Sequence, residues 1–156
     1  MFELKGKIEF DPIDVSKKHK NQSSWKKIAM VRFDCDMFLY YSWFIERRFG
    51  LKLNQPLRGT HITIVSDIVD DDIYREARDM FNEKEITFLL DPTIVRSNEK
   101  GHWWLKVQSD DARNIRSTMG LTPDPYFGLH LTIGLANERN IDFSRYITGV
   151  CKKFDV

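Results

Sequence analysis

The chain has 156 residues, 42% hydrophobic and 30% charged, an ordinary composition for one folded domain and not that of a disordered chain. Lys and Arg total 24 against 23 Asp and Glu, a formal net charge of +1, so there is no broad basic field for holding long nucleic acid; a small anionic ligand in a local pocket fits better. The only cysteines, Cys35 and Cys151, stand in unrelated contexts, which argues against a disulfide framework or a zinc site and for a reducing cytoplasm.

In chain order, Lys5–Phe10 reads as a strand, followed by a polar basic loop from Asp11 to Ser24 that holds Lys17, Lys18, His19 and Lys20. Lys27–Phe33 reads as a second strand. Asp36 is placed to cap a helix running through Phe38, Tyr41 and Ile45 to about Arg48, with Gly50 beyond its end. A loop through Pro56 and Gly59 delivers a strand at His61. Asp70, Asp71 and Asp72 open a second helix, with Ile73, Ala77, Met80 and Phe81 spaced for one buried face. Ile86–Leu90 and Thr93–Arg96 are strand candidates broken at Pro92. Asn98–Gly101 reads as a hairpin turn into the strand His102–Gln108. A third helix starts at Asp110, with Ala112, Ile115 and Met119 on one side and Gly120 as its stop. The loop Thr122–Phe127 leads to a strand at His130, and a short helix is expected after Asp142.

One pattern occurs twice. Gly-Thr-His-Ile-Thr-Ile-Val contains His61 and Thr63, and Gly-Leu-His-Leu-Thr-Ile-Gly contains His130 and Thr132. A strand turns successive side chains to opposite faces, so Ile62, Ile64, Leu131 and Ile133 can enter a core while each histidine shares the other face with its threonine. If the two strands lie side by side, two imidazoles and two hydroxyls converge, a complete kit for acid/base chemistry on a phosphodiester without metal. The order strand, helix, loop, motif strand also recurs in both halves. Identity outside the motifs is poor, so the expectation is a structural pseudo-repeat: two lobes about a pseudo-twofold axis, with the motifs meeting across a cleft.

Paired His-apolar-Thr motifs in a small α+β chain resemble the two-histidine (2H) phosphoesterase superfamily. The whole chain is most similar to the anti-CBASS nucleases of phages, on its length, its motif spacing and the run from Met30 through Arg58 into the first motif. The resemblance implies a bilobal α+β fold, with central antiparallel sheets flanked by helices. It also implies His61, Thr63, His130 and Thr132 as the catalytic quartet, and a cyclic oligonucleotide alarm signal of bacterial immunity as substrate. An RNA-processing 2H enzyme acting on 2′,3′-cyclic phosphate ends, and a non-catalytic nucleotide binder, are the alternatives.

Histidine suits both proton-transfer roles because its unperturbed pKa of about 6.5 keeps both forms accessible near neutral pH. The threonine hydroxyls are placed to hold non-bridging phosphate oxygens. For base binding the candidates are Tyr126 and Phe127, just before the second motif strand, and one of the adjacent Trp103 and Trp104, which must face opposite ways. Arg58 is the candidate phosphate contact. Tyr40, Tyr41, Trp43 and Phe44 are assigned to helix packing. Asp67 with Asp70, Asp71 and Asp72 forms an acidic cluster that a helix start explains without a metal, so no metal or cofactor is expected. His19 and His102 read as surface residues. The N-terminus lacks a signal-peptide core and no apolar run is long enough to cross a bilayer. Neither a membrane, long nucleic acid nor an obligate protein partner is expected.

Overall fold

The computed structural model describes residues 1–12, 27–33, 37–56, 59–96 and 101–136. The elements are β1 (Phe2–Phe10), β2 (Ala29–Arg32), α1 (Met37–Phe49), β3 (Leu53–Asn54), β4 (His61–Val65), α2 (Asp71–Phe81), β5 (Glu85–Arg96), β6 (His102–Gln108), α3 (Asp110–Thr118) and β7 (His130–Ala136). The protein is therefore α+β. The stretch 13–24, the cap at 36, Arg58, the turn at 98–100 and the helix expected after 142 lie outside the described residues.

All strand pairings are antiparallel, in the order β3, β7, β4, β2, β1, β5, β6, and β6 pairs in turn with β7. That last pairing closes six strands into a barrel, with β3 added beside β7. The described strands thus belong to one sheet. Exchanging β1 with β5, β2 with β6 and β4 with β7 leaves the neighbour order around the ring unchanged.

Alternation sorts the two faces. Ile62 and Ile64 of β4, Leu131 and Ile133 of β7, and Trp103, Leu105 and Val107 of β6 are buried in one core. Ile45 of α1, Tyr74 and Ala77 of α2, and Ala112 and Ile115 of α3 join the same cluster, so the helices cover this face. Fully burying each such aliphatic side chain stabilises the fold by roughly 1.5–3 kcal/mol. His61, Thr63, His130 and Thr132 are left on the opposite face.

Local chemistry explains the helix starts. Asp70 accepts from Asp72 N at 3.0 Å at the head of α2, and Ser109 Oγ accepts from Ala112 N at 3.1 Å at the head of α3 while donating to Thr87 O at 2.6 Å. In α2 the buried face is only partly the one expected: Ala77 is buried and Phe81 packs on the core. Ile73 and Met80 are 42% and 51% exposed, and Tyr74 goes in with Ala77. Tyr74 can do so because its hydroxyl shares its one proton between Asp11 Oδ1 and Ile28 O while its ring packs edge-on against Phe10. Burial and the Asp11 carboxylate together push that hydroxyl's pKa up. In α1, Tyr41 and Phe44 pack on the core, but Tyr40 and Trp43 are 61% and 56% exposed, with the Arg47 guanidinium over the Trp43 ring. The one-residue offset from Ile45's face turns them to solvent.

Two strand boundaries also differ. Glu85–Arg96 is one strand, because the register slips between Leu90 and Ile94 and Pro92, which has no N–H to contribute, falls in that irregularity. The loop before the first motif holds β3, tied to α1 by the Leu53 N–H donating to Glu46 Oε1. Among the described residues no helix is long and apolar enough to cross a membrane.

Candidate active site

The two motif strands are direct neighbours. β4 and β7 pair with Ile62 opposite Leu131, so one residue to either side His61 stands opposite Thr132 and Thr63 opposite His130. Residues opposite one another share a face, and all four side chains are half-buried on the face away from the core. The histidines are diagonal neighbours, which sets their backbones about 7–8 Å apart. That spacing admits a phosphate between the rings.

The flanking strands extend this into two rows. Arg32 of β2 stands opposite His61, and beyond Thr132 comes Trp104 of β6. In the other row Lys106 of β6 stands opposite His130, and beyond Thr63 comes Met30 of β2. Each row therefore reads cation, histidine, threonine, large apolar side chain, and the two run in opposite directions. Arg32 makes a bidentate pair with Glu9, both contacts at 2.7 Å, and those hydrogen bonds hold the Glu9 carboxyl below its usual range.

Both histidines are oriented alike. His61 Nδ1 lies 2.7 Å from Gly59 O, and His130 Nδ1 lies 2.9 Å from Gly128 O. A carbonyl only accepts, so each Nδ1 carries the hydrogen and each neutral ring keeps its lone pair on Nε2. The geometry depends on glycine: Gly59 and Gly128 have φ of +72° and +70°, a conformation that L side chains rarely adopt. Sequence reasoning missed this function, although a glycine two places before each histidine was its visible signal.

Of the aromatic candidates, Trp104 faces the site, its ring centroid 6.1 Å from that of His130. Trp103 is removed from the binding set: it is buried at 5% exposure with its ring 5.0 Å from Phe49, because the odd-numbered positions of β6 face the core. Phe127 lines a cavity of about 620 Å³ beside the quartet, shared with Trp104 and Lys106. Tyr126, 94% exposed, stands edge-on to Phe127 at 4.9 Å and does not line that cavity. His102 is half-buried at the start of β6, opposite Leu135.

The acidic residues after the first motif have structural partners. Asp67 binds Arg116, Asp70 caps α2, Asp71 pairs with Lys27 at 2.6 Å, and Asp72 lies 3.5 Å from Arg75. Arg116 itself is fully buried and was missed in the sequence. It donates to Ile64 O on β4 and to Thr122 O in the loop toward β7, each at 2.8 Å, so it links the segments carrying the two motifs.

Compared with protein-family models, curated proteins and solved structures, the chain matches none.

Proposed function

We propose that this protein is a metal-independent phosphodiesterase of the two-histidine type that linearises cyclic di- and trinucleotides, 3′,3′-cyclic GMP-AMP among them, and so defeats bacterial CBASS defence. The observation that carries the chemistry is the antiparallel pairing of β4 with β7, which gathers His61, Thr63, His130 and Thr132 on one face. The matched glycine carbonyls and the exchangeable strand order support reading the barrel as two halves related by a pseudo-twofold axis, the bilobal form the resemblance implies. The choice of cyclic oligonucleotides rests on that resemblance and on the near-neutral charge.

The reaction needs two proton transfers. One neutral histidine takes, through Nε2, the proton of the ribose 2′-hydroxyl as O2′ attacks phosphorus. The other, protonated, gives its Nε2 proton to the departing O5′ as the P–O5′ bond breaks. In the protonated ring the Nδ1–H still donates to its glycine carbonyl, so the ring changes charge without changing place. Thr63 and Thr132 hydrogen-bond the non-bridging oxygens. The product is a 2′,3′-cyclic phosphate; water then attacks phosphorus, the P–O2′ bond breaks, and a 3′-phosphate remains. The runner-up, an RNA-processing enzyme opening 2′,3′-cyclic phosphate ends, would use the second half of this chemistry.

Incubating the protein with cyclic dinucleotides, a cyclic trinucleotide and short RNA, with product masses read out, separates these readings. Linear products ending in 3′-phosphate are expected, with EDTA leaving the rate intact. A substrate lacking the 2′-hydroxyl at the scissile linkage should bind and resist cleavage. Equal cutting of deoxy and ribo forms would replace attack by O2′ with direct attack by water. A rate abolished by EDTA and restored by Mg²⁺ would overturn the metal-independent mechanism.

A further inference from the structure

The cavity beside His130 extends away from the quartet. At about 620 Å³ it falls within the roughly 300–1,000 Å³ typical of small-ligand sites, far more than one phosphate needs. It lies where β6 passes into α3, and the loop before His130 forms its other wall through Phe127, Gly128 and Leu129. Two of its lining residues also belong to the rows of the quartet: Lys106 opposite His130 and Trp104 opposite Thr132. An occupant of this cavity therefore touches the His130 side of whatever the quartet holds.

Its lining combines a flat aromatic surface, Trp104, with two cations, Lys106 and Arg113, and two acids, Asp110 and Asp124. Trp104 is half-buried, with its indole at the border between quartet and cavity. Arg113 is paired with Asp124 at 3.4 Å, whereas Lys106 makes no contact ion pair among the described residues, acts on the Asp91 carboxyl only at longer range, and is exposed on the same face as His130. An indole accepts the face of any base, and a lysine ammonium on its flexible stem suits a phosphate.

We propose that this cavity seats the second nucleotide of a cyclic dinucleotide, with its base stacked on Trp104 and its non-scissile phosphate held by Lys106. The proposal rests on the phosphodiesterase reading and narrows it. A ring of two nucleotides presents two phosphates, one to the histidines and one to Lys106. A 2′,3′-cyclic mononucleotide has a single phosphate and cannot engage both. The site should therefore favour the cyclic dinucleotide over a 2′,3′-cyclic mononucleotide.

The test compares cleavage of 3′,3′-cyclic GMP-AMP with opening of 2′,3′-cyclic AMP by the full chain, with circular dichroism checking each variant's fold. Trp104→Ala and Lys106→Gln are each expected to raise KM for the cyclic dinucleotide about tenfold, with a smaller change in kcat, and to erase the preference over the mononucleotide. Trp104→Phe should recover much of the loss because it restores a flat ring. Gln108→Trp, at an exposed lining position, should raise KM by filling the cavity, and it keeps the test open if Trp104→Ala does not fold. If the wild type cleaves the dinucleotide while Lys106→Gln and Gln108→Trp keep KM within twofold, the cavity assignment is overturned and the phosphodiesterase reading stands. If the wild type processes neither substrate, the phosphodiesterase reading fails, and the cavity proposal falls with it.

Discussion

Replacing His61 or His130 by alanine is expected to cut turnover by roughly 10²–10⁴-fold, the usual worth of a general acid or base, while leaving the fold intact. Both histidines lie on the face away from the core, and their strands are anchored by Ile62, Ile64, Leu131 and Ile133. Each gives up its hydrogen bond to a glycine carbonyl, which is not part of the core. The two rings act on one phosphate in one step, so the double variant should be little worse than the more damaged single one. Thr63→Ala and Thr132→Ala should cost less, on the order of one hydrogen bond to a charged group, roughly 10-fold to 100-fold. Rates come from product formation on 3′,3′-cyclic GMP-AMP, with near-ultraviolet circular dichroism confirming native packing. Near wild-type turnover in either histidine variant would remove it from the mechanism.

The parts of this arrangement that were legible in the sequence are those that depend on local period. Alternation in His61–Val65 and His130–Ala136 announced which residues face the core, and the adjacency of Trp103 and Trp104 required that they part. Ala112, Ile115 and Met119 marked the buried face of α3. The same spacing also put Arg116 on that face, four residues after Ala112 and three before Met119. A charge in a buried stripe is a signal that an acid must come from elsewhere, but no local pattern names Asp67, 49 positions away. Register is similarly non-local. That Ile62 meets Leu131, and that Arg32 and Lys106 therefore stand opposite the two histidines, depends on how distant strands pair. Tyr74 was missed for a different reason: its apolar ring could be buried only because Asp11 and the Ile28 carbonyl receive its hydroxyl.

Asp67→Ala should be among the most destabilising single substitutions on the quartet's supporting frame. Arg116 has no exposed surface, and its guanidinium meets Asp67 through two contacts at 2.9 and 3.0 Å. Asp67 is itself about a third exposed and Arg116 keeps its bonds to Ile64 O and Thr122 O, so solvent and those carbonyls offset part of the stranded charge; the cost is about 2–3 kcal/mol, which in a chain of this size lowers Tm by roughly 4–12 °C. The Arg116 hydrogen bonds hold the Asp67 carboxyl below its usual range, against the upward push of burial. A depressed folded-state value contributes stability above the unfolded pKa of about 3.9 and loses it as pH falls through the folded value. The gap in Tm between wild type and Asp67→Ala should therefore be full at neutral pH and narrow in acid below about pH 4. Adding Arg116→Met should recover part of the loss by removing the stranded charge, although Ile64 O and Thr122 O then lose their donor. Thermal unfolding from pH 3 to pH 7 reads all three effects, and a Tm within 2 °C of wild type at pH 7 would show that Arg116 finds its compensation elsewhere. Because Arg116 grips β4 just past Thr63 and the loop that leads to Gly128, the double variant should also turn over more slowly than its recovered stability suggests.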